Sequence, residues 1–155
     1  MFKPNSFLSA HKIAMDKAKD RNLFIKRLKS EIEKIGQLGK EPIWQELSSL
    51  AAAGKLLRPL FAYQVFRSYH PDKTIPNRLI KDIAALELIH TSTLIHDDII
   101  DKSEFRRECP TIHFKYNEEV ALLIGNIIKD YAINIVSPKA SKILNMEVTK
   151  LTVDN

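Results

Sequence analysis

The chain is poor in several features that would otherwise direct its interpretation: among 155 residues there are one cysteine, four glycines and one tryptophan. A lone Cys109 cannot form an internal disulfide, which excludes a cystine-stapled scaffold. No run approaches the ~18 uninterrupted apolar residues of a membrane span. The opening MFKPNSFLSAHK lacks the apolar centre of a secretory signal, so the expected address is the cytoplasm. Strand alternation is nearly absent, and neither repeats nor low-complexity tracts occur. Apolar residues (45%) and charged residues (28%) are plentiful, which is the balance of one globular domain over residues 1–155. At this length about 70% of the unfolded surface can be buried without disulfides or structural metal.

The formal net charge of +5 is unevenly spread: residues 1–40 hold ten Lys/Arg against four Asp/Glu, and the rest hold fourteen against fifteen. A basic amino-terminal segment invites a nucleic-acid interpretation. From Lys12 to Lys29, however, the basic residues alternate with Ile13, Leu23, Ile25 and Leu28, and the only aromatic is Phe24. Platforms on which bases could stack are missing, so the stretch reads as the solvated face of a helix and no nucleic-acid partner is expected.

Apolar residues recur at helical spacing along almost the whole chain, which predicts an all-α fold. A long amphipathic helix over 6–36 ends near Gly36 and Gly39. Glu41-Pro42 opens a second helix that runs to Ala53 and is broken by Gly54. Leu57 to His70 form a third, with Pro59 tolerated in its first turn, and HPDKTIPN is a turn-rich connection. A central helix runs from about Asn77 to Asp101. A polar loop, KSEFRRECPTIHFKYN, follows it, and two further helices span Glu118 to Val136 and Lys139 to about Leu151, divided by Ser137-Pro138.

Chemistry concentrates on the central helix and the loop after it. Asp97 and Asp101 are four residues apart and project from one helix face, while Asp98 points roughly 100° away. Acids on one face repel, and near a helix C-terminus they also oppose the helix dipole. A hard divalent cation such as Mg²⁺, completed by water and substrate phosphates, would relieve both. The bland alternative is an acidic end on an exposed helix. Arg106 and Arg107 follow in the loop; paired guanidinium groups suit phosphate oxygens, or would serve as ordinary salt-bridge partners for the same aspartates.

His90 lies two turns before Asp97 on nearly the same face, looking into the same cavity, whereas His96 points elsewhere and reads as a packing residue. In AGKLLRP a glycine turn leads into a helix start carrying Lys55 and Arg58, which is either an anion site or a plain helix start with solvated charges. No serine or cysteine is placed beside a base to act as a nucleophile.

Together these segments resemble the trans-isoprenyl diphosphate synthases. AGKLLRP is similar to that family's GGKxxRP, IHTSTLIHDDIID to the helix with its first aspartate-rich DDxxD, and RRECPT to its RRxxPT, in the family's order. YNEEVALLIGNIIKDYA resembles the next family helix. The resemblance implies a helical bundle of the isoprenoid synthase type and covers the first half or so of it. It further implies transfer between isopentenyl diphosphate and an allylic prenyl diphosphate such as farnesyl diphosphate, by ionisation, condensation and elimination.

By that resemblance Asp97 and Asp101 would hold Mg²⁺ against the allylic diphosphate, with Asp98 as the remaining motif carboxylate and Arg106 clasping the same group. Lys55, Arg58, His90 and Arg107 would bind isopentenyl diphosphate. The product chain should run down the helix below the metal, past the small Ser92 and Thr93 and on to Ile89 and Leu86. Those sizes predict a medium- or long-chain polyprenyl product.

Ala53 replaces the first glycine of GGK, and Asn126 stands where the family usually has Asp. The second aspartate-rich motif is absent. The chain is therefore expected to be a partial enzyme, a half-subunit completed by a partner, or a non-catalytic relative. Association is expected, as a homodimer with the 118–136 helix as an interface element or with a completing partner chain. A remote alternative, an HD-type metal phosphohydrolase with His96-Asp97 and His70 as ligands, would leave AGKLLRP and RRECPT unexplained.

Overall fold

A computed structural model describes residues 4–142, with side chains from Met15 onward. Six α-helices follow in order: α1 Pro4–Ile32, α2 Pro42–Ala52, α3 Leu57–Tyr69, α4 Asn77–Ile100, α5 Ile112–Lys115 and α6 Glu118–Ile135. A hairpin of two short strands, β1 Phe105–Arg106 and β2 Cys109–Pro110, lies between α4 and α5. A further helical turn occupies 138–142; the rest of the helix predicted over 139–151 lies outside the described residues.

Helix α4 is the hub, with α6 packed most extensively along one side and α1, α2 and α3 on the others. The core is aliphatic and follows helical spacing. Phe24, Leu28, Ile32 and Ile35 form a stripe that meets Leu47 of α2 and Ile80, Ala84 and Leu88 of α4, while Ala121, Ile128 and Ala132 bring α6 onto the same core.

The first helix differs from its expected 6–36 bounds. Regular α-helix stops at Ile32 and a 3₁₀ segment, Glu33–Gln37, finishes it. The cause is tertiary. Ser48 Oγ donates to the Glu33 carbonyl (3.2 Å) and Gln45 Nε2 to the Gly36 carbonyl (2.9 Å), so α2 satisfies acceptors that a longer α-helix would have consumed.

Side chains also fix the other junctions. Arg27 donates to the Ile75 carbonyl and to Asn77 Oδ1, tying α1 to the start of α4. Asn117 caps α6 by accepting from the Val120 amide (2.8 Å). The Asp82 carboxylate accepts from both the amide and the hydroxyl of Ser137, which pins the end of α6 to α4.

The segment predicted as a polar loop is the main departure. Phe105 pairs with Pro110 and Arg106 with Cys109, leaving Arg107 and Glu108 as a two-residue turn. Both residues are left-handed (φ 51° and 67°), as a hairpin turn that follows strand twist requires. Neither is glycine or asparagine, so the usual signal is missing from the sequence.

Candidate diphosphate site

Members of all three predicted clusters meet, while Asp97 and Asp101 stay outside the hollow that they form. A hollow of about 170 Å³ lies between the Gly54–Arg58 turn, one face of α4 and the β1–β2 hairpin. Lys55, Arg58, His90, Asp98, Arg106 and Arg107 line it. Residues up to 52 positions apart in sequence (Lys55 and Arg107) thus share one concavity whose charge is predominantly positive.

Local structure explains the presentation of each group. The turn before α3 reverses through Leu56 (φ 51°), not through Gly54 as the glycine suggested. Leu56 tolerates this conformation because its side chain is buried and holds it in place, at a cost of about 1–2 kcal/mol. An added Cβ at Gly54 would make only ordinary van der Waals contacts, 3.9 Å from Arg107 Nη1 and from the Leu56 amide nitrogen.

On α4, Glu87, His90, Thr91, Leu94 and Asp98 face the hollow at spacings of three and four residues. On the hairpin, buried Thr111 donates its hydroxyl to the Ser103 carbonyl (2.7 Å) and its amide to the Glu104 carbonyl (2.9 Å). The Ser103 amide in turn donates to the Asp98 carbonyl (3.0 Å). This chain of bonds folds the hairpin back over the end of α4.

Asp98 and Arg106 are therefore partners. Arg106 Nε donates to both carboxylate oxygens (2.8 and 3.0 Å), and Nη2 lies 2.7 Å from Oδ1. Hydrogen bonding to Asp98, then the charges of Asp98, Asp97 and Asp101, outweigh burial and raise the Arg106 pKa. Asp97 and Asp101 are exposed and have no ion-pair partner among the described residues. Asp97 nevertheless acts on His90: burial, followed by Arg58, Arg107 and Arg106, lowers the imidazole pKa, and Asp97 alone opposes them.

The four residues expected along the product chain do not line this hollow. Ser92 is buried between α4 and α6, its hydroxyl donating to the Gly125 carbonyl (2.8 Å). Thr93 is exposed and donates to the His90 carbonyl, Ile89 packs partly against the core, and Leu86 is 40% exposed. His96 turns toward Gly125 of α6, and His70 caps α3 and packs on Phe66. Among the described residues no three His, Cys, Asp or Glu side chains gather as metal ligands, so His70, His96 and Asp97 do not form the hydrolase set. Two contributors escaped the sequence analysis. Thr111 was hidden inside RRECPT, and Glu87 carried only its position one turn before His90 as a clue.

Residues 41–154 match the family described as polyprenyl synthetase. The chain belongs to that family. It is 41% identical over 88 residues to a short chain isoprenyl diphosphate synthase of Methanocaldococcus jannaschii, an overlap covering 57% of this chain and 26% of the relative. It is 34% identical over 112 residues to heptaprenyl diphosphate synthase component 2 of Bacillus subtilis, covering 68% and 30%. The crystal structure of the heptaprenyl diphosphate synthase from Staphylococcus aureus superposes with a TM-score of 0.71 at 28% identity, over 83% of this chain and 42% of that one. Hence the chain spans less than a third of these curated relatives and under half of that structure. The fold is the isoprenoid synthase helical fold, represented by part of its length.

Proposed function

We propose that the chain forms the diphosphate-handling portion of a trans-prenyl diphosphate synthase, which joins isopentenyl diphosphate to an allylic prenyl diphosphate. The observation that carries this is the convergence of Lys55, Arg58, His90, Arg106 and Arg107 on one small hollow beside the exposed pair Asp97 and Asp101. A diphosphate headgroup there would meet several cations at once, while Leu50, Leu56, Leu94 and Ile112 line the same hollow with apolar surface.

The carboxylates fit Mg²⁺. Asp97 and Asp101 are one turn apart, lack cationic partners among the described residues, and sit where the helix dipole disfavours them. Two oxygen donors leave most of the coordination shell to water and phosphate, as magnesium prefers. When bound, the ion would stabilise charge developing on the departing diphosphate. Arg107 and Lys55 have no ion-pair partner among the described residues and would grip phosphate oxygens directly. Arg106, with Nε and Nη2 engaged by Asp98, would offer Nη1 from a fixed position. His90, held neutral at pH 7 by its lowered pKa, would donate one ring N–H without adding a further charge.

The relatives' names range from short chain to nonaprenyl, so we propose the reaction class and not a product length. Full turnover would require helices beyond the described ones. The component 2 relative extends well beyond the matched part, and its name supports association with a further component.

Calorimetric titration with inorganic pyrophosphate tests the proposal. Binding should require Mg²⁺, and Lys55→Ala or Arg107→Ala should weaken it at least about tenfold, the loss expected for one charge-assisted contact. Absence of Mg²⁺-dependent binding, or indifference to both substitutions, would refute it.

A further inference from the structure

Glu87 is an anomaly in the hollow. It lies one turn before His90, its side chain is 10% exposed, and its Oε1 is buried without a hydrogen-bond partner. The nearest opposite charge is Arg58 Nη1, 4.0 Å away. Burial raises the carboxyl pKa and the Arg58 charge only partly offsets this. A desolvated acid with a buried, unbonded Oε1 costs stability that an apolar residue of similar size would not. Such a group persists where function over-rides stability.

Arg58 supplies the function. It stands in the first turn of α3, where the helix dipole disfavours a cation, and its side chain is 55% exposed. Lys55, Arg106 and Arg107 line the same hollow and repel it. Glu87 is its sole ion-pair partner among the described residues. Asp98 is occupied by Arg106, and Asp97 and Asp101 are exposed and lie outside the lining of the hollow. Among the described residues no other acid is placed to hold this long, flexible guanidinium over the cavity against its neighbours.

We propose that Glu87 is a positioning residue: its buried carboxylate steers Arg58 over the hollow so that the guanidinium is in place when a diphosphate arrives. This rests on the diphosphate-binding function proposed above. It predicts an opposition between stability and binding that a structural role would not produce.

Glu87→Gln and the volume-matched Glu87→Met are compared with the parent chain by thermal melting and by calorimetric titration with inorganic pyrophosphate and Mg²⁺, in both the Arg58 and the Arg58→Met background. At pH 7.5 Glu87→Met should melt about 3–6 °C above the parent, because a buried acid with an unbonded oxygen is replaced by apolar volume, and Glu87→Gln, which keeps a buried polar group, should gain less. The advantage should vanish below the ordinary carboxylate value of 4.5, where Glu87 is protonated in the folded and unfolded chain alike. The groups facing it there, Arg58 from α3, Lys55 from the preceding turn, Arg106 and Arg107 from the hairpin and His90 and Asp98 of α4, are the same in each Glu87 variant and in the parent it is compared with.

Pyrophosphate should bind about three- to tenfold more weakly to both variants, the cost of ordering one freed side chain. No further loss should appear in the Arg58→Met background. Unchanged or tighter binding, an equal loss without Arg58, or a lowered melting temperature in both variants would overturn the role of Glu87. A parent chain that binds no pyrophosphate would instead overturn the proposed function, and this inference with it.

Discussion

Arg106 and Asp98 stand eight residues apart and end up in one ion pair, and that pair decides what either can do. The Asp98 side chain is 8% exposed, so removing its partner strands a buried carboxylate. Fully buried pairs lose roughly 3–5 kcal/mol when one member is truncated. Because a third of the Arg106 side chain meets solvent, Arg106→Met should cost about 2–3 kcal/mol in urea denaturation. Asp98→Asn, which keeps a hydrogen-bond acceptor, should cost about 1 kcal/mol. The family resemblance brought Asp98 to the site and paired guanidinium chemistry brought Arg106, and the spacing argument turned Asp98 away from Asp97 and Asp101, which are exposed where Asp98 is buried. That argument left two partners open for Arg106, diphosphate or aspartate, because the choice depends on how the intervening segment folds.

Among the elements, α4 and α6 make the closest contact, and it runs through Gly125. A Cβ there would lie 2.3 Å from His96 Nε2 and 2.8 Å from Cδ2. Gly125→Ala should push α6 away, weaken the Ser92 bond to the Gly125 carbonyl and destabilise the chain by about 1–3 kcal/mol. His96→Ala in the same chain should restore much of that loss, a non-additivity readable in a double-mutant cycle of chemical denaturation. If the two losses simply add, the contact does not set the helix spacing. Both helices were legible from their apolar spacing, and α4 from Asn77 matches its expected start. The β1–β2 hairpin was not legible, because its left-handed residues are Arg107 and Glu108, and the bonds that fold it back, from Thr111 and Ser103 to neighbouring backbone and from Arg106 to Asp98, are tertiary.

Among the described residues the molecule exposes an apolar stripe along α3. Leu57, Phe61, Val65 and Tyr69 recur every four residues along α3 and are 67%, 72%, 42% and 78% exposed. Such contiguous apolar surface favours association. A second stripe, Leu122, Leu123 and Ile133, lies on α6 opposite the face buried against α4. The helix expected to serve as an interface is thus core on one side and open on the other. Sedimentation should show self-association of the parent chain, weakened by Phe61→Glu with helical circular dichroism unchanged. Disruption by Leu123→Glu and not by Phe61→Glu would assign the contact to α6, and a strictly monomeric parent would remove the prediction altogether.

The order of residues by itself determined the helical class, the places where most helices begin and end, and the identity of the charged groups offered to a ligand, because 3.6-residue periodicity and helix caps are local properties. Tertiary structure alone decided which of those groups meet. The 3₁₀ end of α1, the hairpin that swings Arg106 onto Asp98, the burial of Ser92 against α6 and the isolation of Glu87 beside Arg58 all depend on contacts between segments distant along the chain. Periodicity does not encode such contacts, since a helix carries the same face whichever neighbour comes to cover it.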